Sequence, residues 1–359
     1  MIKKSFIVKI YQNDGTTFIR ALKPTEVKSV PSFASQINGG FGQCLLDLNL
    51  PFDDYGEGSD VDFMNIVKIY VTDENNTLGR LIYTGFISAY KPYIDGGKQG
   101  VKVTLLGLVS LLSFAYYKNG ASFTVAHVGV DPSAMMKAIV DHFNSIYAGS
   151  LLGYNSGGTT VDSVGVNVTY TFDSDKWLDA MQNAFGTVGA GWWWSIDKQG
   201  QLYLKQKPVS ATHTFTIGKD IETIEVDKSS EGITNQVRVK YGVNTYDYND
   251  ATSISRFGTR EIIVTDDRIQ NAATAQQKAQ QQVNDNKVEK IKARITLNSN
   301  YDLESINVGD TCQIVNLSTA QTTFNNNMQI VSVAYNFDKV TIELEQQTKF
   351  SVELQKFIS

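Results

Sequence analysis

Phe86-Ile87-Ser88-Ala89-Tyr90 is followed, after a turn, by Lys102-Val103-Thr104-Leu105. Near the other end of the chain, Val331-Ser332-Val333-Ala334-Tyr335 is followed, after a shorter turn, by Lys339-Val340-Thr341-Ile342. In both places a strand ending in Ala-Tyr gives way to one beginning Lys-Val-Thr. Apolar and polar residues alternate with period two, which buries one face of a strand and wets the other. Another apolar run lies upstream of each hairpin, Ile66–Val71 in one case and Thr311–Val315 in the other. Hairpins resemble one another through alternation alone. The alternative is an internal repeat: two related β-barrels, one toward each end of the chain.

The same alternation continues outward from the hairpins. Val237, Val239 and Tyr241 alternate with Arg238 and Lys240. Asn13-Asp14-Gly15, Asp95-Gly96-Gly97 and Lys198-Gln199-Gly200 supply turns between such runs. Three helices interrupt the pattern. Asp131-Pro132 caps one that runs to Tyr147, with Met135, Met136, Ile139, Val140 and Phe143 on one face. A second spans about 174–185 through Trp177, Leu178, Met181 and Phe185, and a third about 271–286 through Ala275, Ala279 and Val283. The fold class is therefore mainly β with an α+β middle.

The 359 residues leave room for two or three domains of roughly 100–200 residues each. Hydrophobic residues make up 42% and charged ones 19%, which excludes a disordered chain. A net charge of −5 argues against a dedicated nucleic-acid or membrane-surface binder. Cys44 and Cys312 suit buried thiols from a reducing compartment, and His127, His142 and His213 are scattered. The MIKKSFIVK start lacks a signal-peptide core, and the longest apolar run, near Val103–Leu112, is far below the roughly 20 residues of a membrane span. The expectation is a soluble protein made in a cytosol.

Each chemical motif has a plainer alternative. The run from Asp53 to Asp62 is rich in carboxylates and raises calcium binding or metal-dependent hydrolysis, but its spacing departs from the calcium-loop pattern and suits a solvated loop. Gly39-Gly40-Phe41-Gly42 leads into a strand rather than a helix, so a turn fits better than a phosphate cradle. Gly153-Tyr154-Asn155-Ser156-Gly157 lacks the nucleophile-elbow order. Trp192-Trp193-Trp194 invites a sugar-stacking platform, yet in a strand the three rings point to alternate faces. Two core tryptophans and one at a subunit contact is the plainer account. No catalytic residue, cofactor or metal site is expected.

The order of these elements resembles the baseplate-hub proteins of tailed bacteriophages and of related injection machines. Leu45–Asp54, Ile66–Val71 and Arg80–Tyr90 resemble that family's first barrel. Asp131–Tyr147, Val168–Phe185, Gly191–Asp197 and Gly200–Lys205 resemble its middle segment. Ile221–Val226, Ile233–Tyr241, Ala272–Val283 and Asn307–Val315 resemble its closing half, where ITNQVRVKYG leads by way of a helix to INVGDTCQIVN. The resemblance covers nearly the whole chain through order and spacing, without an invariant signature.

The resemblance implies two tube-like antiparallel barrels flanking the α+β region. The first would span 1–115 and the second, discontinuous, 209–243 and 290–347. The middle would take 116–208 with 244–289, and a tail 348–359. It further implies a homotrimer whose six barrel positions match a sixfold tail tube or distal tail protein on one face. A threefold spike or fibre would meet the other face, with a channel for DNA. Many relatives append a peptidase or lysozyme-like domain, for which the end of this chain leaves no room, so the role would be non-enzymatic. The location would be the virion tail tip, after synthesis in the host cytoplasm. Candidate interface residues are Lys102, Thr104, Lys339 and Thr341, on hairpins taken as barrel edges, and Phe350, Leu354 and Phe357 in the tail. The rival function is a receptor- or carbohydrate-binding tail adhesin.

Overall fold

The computed structural model describes residues 5–73, 76–147, 150–155, 160–189, 191–208, 210–316, 328–336 and 338–346. The first third is almost all strand: β1 (Ser5–Tyr11), β2 (Phe18–Leu22), β3 (Ser32–Gln36), β4 (Gly39–Gly40), β5 (Gln43–Leu48), β6 (Ile66–Asp73), β7 (Asn76–Asp95) and β8 (Lys98–Gly107). The middle mixes β9 (Thr124–Val130), α1 (Pro132–Ile146), β10 (Val168–Asp173), α2 (Trp177–Phe185), β11 (Trp192–Ile196) and β12 (Leu202–Gln206). Then come β13 (His213–Ile217), β14 (Ile221–Ser229), β15 (Gln236–Tyr241), β16 (Asn244–Asn249), α3 (Ala251–Phe257), β17 (Glu261–Thr265) and α4 (Ala272–Asn286). The last strands are β18 (Lys290–Leu297), β19 (Thr311–Asn316), β20 (Met328–Asn336) and β21 (Lys339–Gln346).

Thirteen strands form one sheet, in the order β19-β13-β14-β18-β21-β20-β3-β5-β8-β7-β6-β1-β2. An additional β19–β20 pairing closes six of them into a barrel. Starting from β18, the order around that barrel is β18-β21-β20-β19-β13-β14. The other half of the sheet reads β5-β8-β7-β6-β1-β2. The two orders correspond strand for strand in chain sequence, so the repeat extends from a hairpin to six strands. In the first set the segment after β2 returns to β5 through a Val27–Leu48 bridge. There the Lys28 N–H donates to the Asp47 carbonyl and the Asn49 N–H to the Glu26 carbonyl, both at 2.7 Å.

The quoted hairpins even share register. Ala89 faces Thr104 and Tyr90 faces Val103; Ala334 faces Thr341 and Tyr335 faces Val340. Against its hairpin partner each long strand carries a bulge, around Ser88 in β7 and Val331 in β20. A bulge adds a residue and bends a strand, as closure of a small barrel requires.

Three expectations need correction. The second barrel is not wholly antiparallel, because β13 runs parallel to β19 and β14, whereas β1 is antiparallel to β6 and β2. Strand β15, assigned by sequence to the second barrel, lies in a separate three-stranded sheet between β16 and β17. Its Val237 and Val239 join Ala275, Ala279 and Val283 of α4 in the middle core. Alternation marks a strand but leaves its partner open, and here the apolar face of α4 decides. A fourth helix, α3, is also present: Asp250 accepts from the Ser253 N–H at 2.9 Å and Gly258 ends the helix.

Two cores result. One fills both strand sets continuously, from Val8, Ile69 and Leu105 to Ile295, Ile330 and Ile342. The other joins α1, α2, α4 and their small sheets around Phe143, Trp177 and Trp194. No helix among the described residues is long and apolar enough to cross a membrane.

Candidate functional site

The junction of the two strand sets is held by β3, which pairs along β20 and meets β5 at Ser32–Leu45. Phe33 and Ser35 are its buried residues. The Phe33 ring stacks on Tyr335 at 5.2 Å and lies 4.9 Å from Tyr83. The Tyr335 hydroxyl donates to Glu304 at 3.0 Å, and Arg80 of β7 reaches the same carboxylate at 3.2 Å and Asp302 at 2.8 Å. A side chain of one set thus grips the other.

The glycine run acts as a splice. Short β4 lies parallel to β11, pairing Ser195 with Gly39 and Ile196 with Gly40. A Cβ at position 40 would fall 2.8 Å from the Ile196 carbonyl oxygen, and one at position 107 only 1.9 Å from that of Phe41. Bare backbone is what lets these segments meet. The sequence places a turn at Gly39–Gly42; the turn falls at Ile37–Asn38 instead, and Gly39–Gly40 form the short strand that ties the middle region to the junction.

Between them lies a cleft of about 510 Å³, walled by Phe33, Phe41, Tyr335, Trp193, Tyr203 and the segment Leu303–Asp310. The tryptophan run divides as alternation demands: Trp194 is buried in the middle core, Trp193 is buried toward the cleft and Trp192 is half-buried. Gly309 presses on the Trp193 indole, where a Cβ would come within 2.1 Å. Asp197 and Lys198 at the cleft are both shifted by burial, the carboxyl upward and the ammonium downward.

The other motifs resolve into packing. Arg20 binds Asp54 at 3.0 Å, Asp60 at 2.8 Å and Glu26 at 2.7 Å, drawing the acidic run onto the first strand set. Among the described residues no group of three or more His, Cys, Asp or Glu is arranged to hold a metal. The Trp177 indole N–H donates to His142 Nδ1 at 2.7 Å, His127 shares a hydrogen bond with Tyr117, and His213 lies between Tyr301 and Asp310. Burial pushes the Cys44 thiol up to about 12 and Cys312 up as well, which keeps both unreactive. Sequence reasoning missed the buried network of the middle region. Asp266 accepts from Arg268 Nε at 3.0 Å and from Lys278, while Arg268 also reaches Asp175 at 2.9 Å. Arg268 and Asp175 lie 93 residues apart in sequence, so no local signal announces the network.

The expected interface residues are not on free edges. Lys102 and Thr104 lie in β8, which is paired to β5 and β7; Lys339 and Thr341 lie in β21, paired to β18 and β20. Lys102, Thr104 and Thr341 have a paired strand on both backbone sides, whereas Lys339 lies just past the end of the β18 pairing with β20 alone beside it. Lys102 and Lys339 are exposed and the threonines half-buried, so they offer side chains only. Phe350, Leu354 and Phe357 lie outside the described residues.

No family model and no curated protein matches the chain. Solved structures do. The 43 kDa tail protein of prophage MuSo2 from Shewanella oneidensis is similar over 95% of this chain and 98% of its own, with a TM-score of 0.62 and 12% identity. The tail protein from Neisseria meningitidis MC58 is similar over 97% and 98%, with a TM-score of 0.64 and 11% identity. Prophage tail protein gp18 from Listeria monocytogenes EGD-e is similar over 99% and 98%, with a TM-score of 0.57 and 11% identity. The fold is thus that of phage tail proteins, carried along the full length of the chain.

Proposed function

We propose that this chain is a structural, non-enzymatic component of a phage tail tip or baseplate, working in the virion as a homotrimeric hub. The observation that carries this is the duplicated strand order, β5-β8-β7-β6-β1-β2 against β18-β21-β20-β19-β13-β14. Two like barrels per chain give six similar positions around a threefold axis, which suits an adaptor between a sixfold tube and a threefold spike or fibre. A channel for DNA would run along that axis. The barrels would comprise β1, β2 and β5–β8 in one case, and β13, β14 and β18–β21 in the other. The intervening elements would form the middle domain.

Subunit contacts are assigned to the outer end of the β7–β8 hairpin. Its pairing with β6 ends at Phe86 and with β5 at Val101, while the ribbon itself continues to Asp95–Lys98. Beyond those points the ribbon's outer backbone groups have no strand partner among the described residues. Pro92, which cannot donate, suits such an edge. Exposed Lys102 and Lys339, and the segment containing Phe350, Leu354 and Phe357, are assigned to flanking contacts. Mass photometry of the purified chain tests the oligomer: the expected particle has three times the 39.7 kDa chain mass, and a monomer at micromolar concentration would contradict it.

A further inference from the structure

The duplication leaves one position filled and its counterpart open. Along the outer edge of β20 comes first β19, at Met328 and Gln329, and then β3, at Ser332–Asn336. Along the matching edge of β7 comes β6, as far as Phe86, and no further strand among the described residues. Ala89, Tyr90 and Lys91 stand where Ala334, Tyr335 and Asn336 stand in the other hairpin, but without an equivalent of β3. Because β3 joins the two strand sets within one chain, its missing equivalent would join the second set of one copy to the first set of the next.

Chain order says where that strand comes from. Strand β3 falls between β2 and β5, and the corresponding interval of the second set, between β14 and β18, holds β15, β16 and β17. Of these, β15 is paired on both sides, while β16 and β17 each keep one open edge. Strand β16 is polar, Asn-Thr-Tyr-Asp-Tyr-Asn. Strand β17 reads Glu-Ile-Ile-Val-Thr, is as long as β3, and leaves Ile262 37% and Ile263 57% exposed. It has none of the proline, lysine or bulge that protects a natural edge.

In the register of β3, Glu261 would face Lys91, Ile262 would face Tyr90 and Ile263 would face Ala89. The first contact completes a row of charges. Asp47 lies opposite Lys102 and Lys102 opposite Lys91, so two like charges sit side by side. Lys91 has no ion pair among the described residues. The Glu261 carboxylate accepts from the Gln236 amide at 3.2 Å, and nearby Arg238 is committed to Asp247. The second contact puts Ile262 where Phe33 stacks on Tyr335 in the filled position. The third sets Ile263 in line with Ala89, Thr104 and exposed Leu45. Exposed Arg260 would then continue along the ribbon toward Asp95. We propose that β17 of one copy pairs antiparallel with β7 of the next, from Ala89 outward, and that three such contacts close the ring. The inference rests on the trimeric hub reading and names the partner of its ribbon.

The test is a disulfide across the contact in the full chain. Ala89→Cys is combined in turn with Ile262→Cys, Ile263→Cys and Val264→Cys; native Cys44 and Cys312 are buried and do not compete. After mild oxidation the variant carrying Ala89→Cys and Ile263→Cys should give the most covalent trimer on a non-reducing gel, and each single variant none. Lys91→Glu and Glu261→Lys should each weaken the trimer by about 2- to 5-fold per contact, and the two together should restore it. Mass photometry before oxidation separates the failures. A monomer overturns the hub reading and this pairing with it. A trimer that gives no intersubunit disulfide in any of the three double variants overturns the pairing and leaves the hub reading standing.

Discussion

Asp266 carries more of the middle region than its place in a loop suggests. Burial works against its charge, but hydrogen bonds and charge from Lys278 and Arg268 outweigh that and hold the carboxyl below its ordinary range. Asp266→Ala takes the shared anion from half-buried Lys278 and Arg268, of which Arg268 keeps Asp175, and should cost about 1–3 kcal/mol in urea unfolding. Because the folded pKa is the lower one, the stabilisation is complete above the ordinary carboxylate range and is lost as pH falls through the folded value. Asp14 shows the same sign in the open. The Thr17 hydroxyl and the Thr17 and Thr16 amides hold it at about 2 against an ordinary 3.8. Its carboxyl signal in NMR should therefore titrate near 2, and titration near 3.8 would mean the turn is not formed. The Asp14 turn was legible as Asn-Asp-Gly; Asp266 was not, since its partners come from distant segments. The glycines divide similarly. Gly107→Ala should destabilise by about 1–3 kcal/mol by driving a Cβ into the Phe41 backbone, whereas Gly39→Ala, where the nearest atom is a flexible Gln36 side chain at 3.6 Å, should be near neutral.

Among the elements, those with local punctuation were readable. Asp131 caps α1 by accepting from the Ser133 N–H at 2.8 Å, and Asn271 caps α4 through Thr274. The cap of α3 was equally present, as Asp250 and Gly258, but seven residues carry too little periodicity to advertise a helix. Hairpins were readable from Ala-Tyr and Lys-Val-Thr, and the shared register gives that reading a geometric basis. Their status as edges was misjudged, since edge or interior depends on strands 40 or more residues away. The ribbon end of β7–β8 is the remaining candidate edge. Replacing Tyr93–Gly100 with Asn-Gly joins the directly paired Pro92 and Val101 through a two-residue turn. The shortened protein should keep its circular-dichroism spectrum and sediment as a monomer. A trimer would remove the ribbon from the interface.

For the whole molecule, the duplication is the organising fact. It spreads one sheet over two like strand sets, leaves the α+β insertions to one region and places β3, the glycine splice and the Arg80–Glu304 contact at the seam. Cys44 and Cys312 are buried, and His127, His142 and His213 hydrogen-bond Tyr117, Trp177, and Tyr301 with Asp310. Under the proposed hub reading the chain works by geometry, and that geometry can be imaged. Electron cryomicroscopy of the assembled particle, reconstructed without imposed symmetry, should show three chains around one axis with six barrels alternating between first and second repeat. A particle in which the two barrels of each chain lie at different radii, or one without a threefold axis, would contradict the account.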